Sequence, residues 1–71
     1  MTDSDRALLD TYTQYATERA AGARTSALTA VSGLSPTRAY QRLVWLLSDR
    51  EAWEYAPMTM GLIQRRSGRA A

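Results

Sequence analysis

The stretch Ala27–Leu47, ALTAVSGLSPTRAYQRLVWLL, decides the fold. Its spacing predicts two helices joined by a tight turn at Gly33, the first short, roughly Arg24 to Ser32. The second opens at Ser35-Pro36-Thr37-Arg38. A serine hydroxyl at Ser35 accepts from an orphan N–H of the first turn, and Pro36 suits the first helical position because its missing N–H costs nothing there. Gly33 suits a turn with positive φ. Helix, glycine turn and capped helix is the layout of a helix-turn-helix.

At 100° per residue the second helix, residues 36–47, separates into two faces. Ala39, Leu43 and Leu46 share one side, flanked by Tyr40 and Leu47, and form the expected core face. Thr37, Arg38, Gln41 and Trp45 share the other, with Arg42 at the edge and no acid in the helix. Such side chains suit a DNA groove, since arginine pairs bidentately with guanine and glutamine with adenine. The plain alternative is an amphipathic helix with a solvated polar face. Turn, cap and acid-free face together favour DNA binding.

Working outward, the 71 residues have room for one domain, with a marginal core that dimerisation or a partner would help. There is no cysteine or histidine, which excludes disulfides, cysteine nucleophiles, His-dependent triads and the common zinc sites. No cofactor and no metal is expected. No apolar run is long enough to cross a bilayer, and Met1-Thr2-Asp3-Ser4-Asp5 is no signal peptide, so a cytoplasmic protein is expected. Every basic residue is arginine. Residues 1–21 carry a net −2 and residues 22–71 a net +4, the polarity of a small nucleic-acid binder.

In chain order, Met1 and Thr2 should fray, and Asp3 or Ser4 can cap a helix running to about Ala21, with Asp5 suiting its positive end. Leu8, Tyr12, Tyr15 and Arg19, with Leu9 and Ala16 beside them, form its stripe. Gly22 can end this helix, after which Ala23, Ala27, Leu28 and Val31 turn inward. Ser48-Asp49 caps a short helix through Tyr55, stopped by Pro57. Pro57 starts a last helix through Met58, Met60, Leu62 and Ile63 to Arg66, and a basic tail covers about residues 64–71. No hairpin signal appears, so no β-wing is expected. The fold class is all-α, a small bundle of four to five helices containing the helix-turn-helix.

Trp45 points away from the core face and needs cover. One source is the C-terminal segment, with Trp53, Met58 and Met60 as neighbours; another is a second subunit on a surface of Val44, Trp45 and Trp53. Exposed tryptophan with apolar neighbours is a hot-spot composition.

The run Gly22-Ala23-Arg24, Ala27-Leu28, Gly33-Leu34-Ser35-Pro36-Thr37-Arg38-Ala39-Tyr40-Gln41-Arg42-Leu43, followed by Glu51-Ala52 and Pro57-Met58, resembles domain-of-unknown-function family 3263. The resemblance spans about Leu8 to Arg69, with Gly33 to Gln41 its most specific part. It implies a helix-turn-helix fold and an actinobacterial or phage origin, to which the arginine-only composition also points. The chain departs from the family pattern at Ser32, Ala39, Val44, Trp45 and Ser48.

The leading expectation is a transcription-regulator-like protein that binds double-stranded DNA, with residues 36–47 in the major groove. Thr37, Arg38 and Gln41 would face base edges; Arg24, Ser35, Arg42, Arg65, Arg66 and Arg69 would hold phosphates. A homodimer would raise affinity. The alternative is a protein-binding module, such as a phage factor acting on a host protein through the apolar surface around Trp45. An enzyme is not expected: the carboxylates lie mostly at helix starts, and no His, Cys or Lys exists to pair with them.

Overall fold

The chain forms five α-helices in the computed structural model, which describes residues 1–68; there is no strand among those residues. They are α1 (Asp3–Gln14), α2 (Ala21–Ser32), α3 (Pro36–Trp45), α4 (Arg50–Tyr55) and α5 (Pro57–Ser67), and one 3-10 turn, Leu46–Ser48, prolongs α3. The expected all-α bundle is the fold that forms. No helix among the described residues is long and apolar enough to cross a membrane.

α1 starts one residue earlier than a cap at Asp3 would place it, and two earlier than a cap at Ser4. Thr2 is the cap: its Oγ1 accepts from the Asp5 N–H at 3.1 Å, and Asp5 Oδ2 accepts from the Thr2 N–H at 3.1 Å. This reciprocal box satisfies two orphan donors, so Thr2 does not fray. Met1 is half-buried against the core.

The end of α1 also differs from expectation, falling at Gln14 rather than near Ala21. The chain then turns, with the Ala16 N–H on the Thr13 carbonyl and the Glu18 N–H on the Tyr15 carbonyl. Carbonyls of that turn are satisfied from a distance. Arg24 of α2 donates to Tyr15 O at 3.3 Å and Glu18 O at 3.1 Å, and Arg66 of α5 donates to Ala16 O at 2.7 Å. Guanidiniums therefore do the work that continued helix or a glycine cap would do. Gly22 is not the terminator; it lies in the first turn of α2.

α2 packs on α1 and α3, and among the described residues of α2 Leu28 is the one that this packing buries completely. Ala23 is exposed and Val31 is 44% exposed, so neither turns inward as the spacing implied. Gly33 then takes φ 70°, and its N–H bonds the Thr29 carbonyl at 2.9 Å. That left-handed closure is open to glycine at no steric cost. Ser32 explains how a polar residue serves here: its hydroxyl donates to Leu28 O at 2.7 Å and accepts from the Leu34 N–H at 3.1 Å. Leu34 packs partly buried against the core.

Ser35 caps α3 by accepting from the Arg38 N–H at 3.3 Å, and Pro36 opens it. Ala39, Leu43 and Leu46 are buried, as their spacing requires. They meet Leu8, Leu9 and Tyr12 of α1, Leu28 of α2, Ala52 of α4, and Met60 and Ile63 of α5 in one cluster. Two hydroxyl pairs cross between helices: Thr13 with Thr59 at 2.6 Å, and Thr25 with Tyr40 at 3.1 Å. Thr13 spends its proton on Leu9 O, so Thr59 is the donor to Thr13.

Candidate functional site

Burying Ala39, Leu43 and Leu46 fixes which side of α3 faces outward. Thr37, Arg38, Gln41 and Trp45 are all exposed on that side. The Arg38 guanidinium has no ion-pair or hydrogen-bond partner among the described residues. No acid occurs from Pro36 to Ser48, so nothing on the helix itself neutralises it.

Arg42, one turn further on, is used differently. Its Nε donates to Asp5 Oδ1 at 2.7 Å and its Nη2 to Asp5 Oδ2 at 2.9 Å, a two-pronged pair that ties α3 to the start of α1. Asp5 is only 2% exposed. The Arg42 guanidinium beside it holds the Asp5 carboxyl down at about 2, helped by the Thr2 hydrogen bonds and outweighing the upward push of burial. The same guanidinium lies 4.0 Å from the centre of the Trp45 ring. Thus one face of Trp45 rests on a cation that is itself held from α1.

Trp45 remains 55% exposed. It borders an open groove of about 710 Å³ with Thr37, Tyr40, Gln41, Val44, Ser48 and Ser67. The C-terminal helix reaches this groove only through Ser67. Met60 is fully buried in the core, and Met58 is 88% exposed beside a separate depression with Asp10, Thr13 and Tyr55. Trp53 does not join the Trp45 surface either; it is half-buried against the core, its Nε1 donating to Leu47 O at 2.9 Å. The expected cover of Trp45 by Trp53, Met58 and Met60 is therefore not what the fold provides. Arg42 takes that place because α1 holds it there.

The six residues expected at phosphates fall into different settings. Ser35 is the cap of α3 and Arg42 the partner of Asp5. Arg24 and Arg66 bind the turn after α1 and lie over the Tyr12 ring at 5.5 and 5.8 Å, with Arg66 Nη1 donating to the Tyr12 oxygen at 3.1 Å. Arg65 is exposed, and Arg69 lies outside the described residues. Sequence reasoning missed two residues. Arg50 is exposed and borders Trp45 and Ser48. Asp5 was legible in principle: it stands three and four residues before Leu8 and Leu9, on the buried stripe, where an acid demands a buried cationic partner.

These features define a small all-α bundle that presents an acid-free helix face, held in place by an ion pair whose carboxylate is buried. The chain belongs to the family of proteins of unknown function DUF3263, whose model matches residues 1–71. No curated protein and no solved structure matches the chain.

Proposed function

We propose that the chain is a small DNA-binding protein of transcription-regulator type, in which α2, the Gly33 turn and α3 act as a helix-turn-helix. The observation that carries this reading is the outward N-terminal half of α3. Thr37, Arg38 and Gln41 are exposed together, without an acid, on a helix whose opposite side is locked in the core. In the major groove, Arg38 and Gln41 suit bidentate contacts to guanine and adenine, and Thr37 a single contact. Phosphates would meet Arg65, Arg50 and the amide end of α3 at Ser35. Arg42 serves in this reading as the brace that sets the angle of α3 on α1.

A second reading is favoured by one observation: Trp45 is 55% exposed beside an open groove. In that reading the Val44 and Trp45 surface docks a protein partner, a second copy of the chain included.

Fluorescence anisotropy of labelled duplexes, random and promoter-derived, at two salt concentrations separates the two. Binding that weakens with salt, differs between sequences and falls by about 1–3 kcal/mol in Arg38→Ala is expected of the groove reader. Absence of binding at low salt, together with a complex lost in Trp45→Ala, would overturn it in favour of the second.

A further inference from the structure

A further cavity lies behind α3, and its chemistry is distinct from that of the outward face. It has a volume of about 330 Å³ and is walled by the Tyr12 ring, Leu43, Val44 and Ile63, with Arg24 and Arg66 at its polar side. No carboxylate of the described residues lines it. Each guanidinium spends two donors on neighbouring protein oxygens, leaving three of its five N–H groups. Neither arginine is in an ion pair with a carboxylate among the described residues. The two positive charges stand beside an apolar hollow in the size range of small-molecule sites.

We propose that this cavity binds a compact organic anion, an aromatic or branched body of drug-fragment size bearing one phosphate or carboxylate. The apolar body would lie against Leu43, Val44 and Ile63, and the acid head would accept from the open donors of Arg24 and Arg66. Planar forks of this kind match oxyanions, and two of them give the head charge compensation that the hollow itself lacks. Tyr12 comes from α1, Arg24 from α2, Val44 from α3 and Arg66 from α5, so an occupant would bridge four helices. Tyr40 and Val44 line both this cavity and the outer groove, which places the ligand directly under the exposed face of α3. The proposal stands whether that face meets DNA or protein.

The test is a titration of the full chain with phenyl phosphate, followed by methyl and amide NMR shifts, with phenol and inorganic phosphate as controls. The expected result is saturable movement of the Val44 and Ile63 methyls with phenyl phosphate, at least tenfold weaker with either control. Arg24→Gln and Arg66→Gln, each checked for folding by circular dichroism, should weaken phenyl phosphate binding tenfold or more and leave the phenol response unchanged. Equal binding of inorganic phosphate would show surface ion pairing only and overturn the proposal. So would movement confined to residues outside the cavity, or no saturation. The comparison of phenyl phosphate with phenol needs no variant, so the result does not depend on how well the arginine substitutions fold.

Discussion

Arg38 and Arg42 stand one turn apart on α3 and belong to different regions of the molecule. Arg42 reaches inward to a carboxylate that is 2% exposed and supports Trp45 on its other face. Arg38 extends outward with no partner among the described residues. The residue type is the same and the helix is the same; the neighbours differ. At the joint between α1 and α3 the charge is consumed by the fold, and on the outer face it is left for something else. Net charge alone therefore overstates what this surface offers to an anion. Of the arginines expected at phosphates, Arg42 is paired with a carboxylate, while Arg24 and Arg66 give part of their donors to the turn after α1.

Breaking the joint should have the largest effect. Arg42→Ala leaves the buried Asp5 carboxylate without its guanidinium and should cost about 3 kcal/mol, measured by urea unfolding. It should also change Trp45 fluorescence, since the ring loses the cation beneath it. If stability falls by only a few tenths of a kcal/mol, the pair is a surface ornament and the contrast with Arg38 collapses.

Acid should dissolve the joint more gently. Asp5 has a folded value of about 2 against an ordinary 3.8. Its folded value is depressed, so its contribution is fully present above 3.8 and is lost as the pH falls through about 2. The loss amounts to about 2 kcal/mol. Unfolding free energies between pH 5 and pH 2 should show it, and Asp5→Asn should flatten that part of the profile.

Gly33→Ala tests the turn that presents α3. A φ of 70° is strained for any residue with a Cβ, although no atom lies within 4 Å of where that carbon would sit. The cost should be about 1 kcal/mol, all of it conformational. Rescue by asparagine, which tolerates this region better, would sharpen the assignment.

Arg38→Ala should have the smallest effect on stability, within about 0.5 kcal/mol, because no intramolecular contact is lost. A large destabilisation would erase the distinction between the two arginines.

The centre of the fold was readable in one dimension because it rests on local rules. Ser35, Pro36 and Gly33 act through backbone groups a few residues away, and Ala39, Leu43 and Leu46 are placed by the helical repeat. The exposure of Thr37, Arg38 and Gln41 follows from the same repeat. The end of α1 was not readable, because Arg24 and Arg66 determine it and Arg66 lies 50 residues from the carbonyl it binds. Gly22 carried the composition of a terminator, yet it lies inside α2. Val31 fits an inward stripe by spacing, but the contacts of α2 with α1 and α3 leave it outside.

Sequence by itself determined an all-α chain, the capped α3, its glycine turn and the two faces of that helix, since caps, φ preferences and periodicity act over a turn or two. Packing decided what each arginine is for. A guanidinium becomes a brace, a turn clamp or an open contact according to which carboxylate, carbonyl or ring is brought beside it. Those partners lie 37 residues away for Arg42 and 50 for Arg66 along the chain. No local rule reaches that far; the burial of Leu8, Leu28, Leu43 and Met60 in one cluster brings them together.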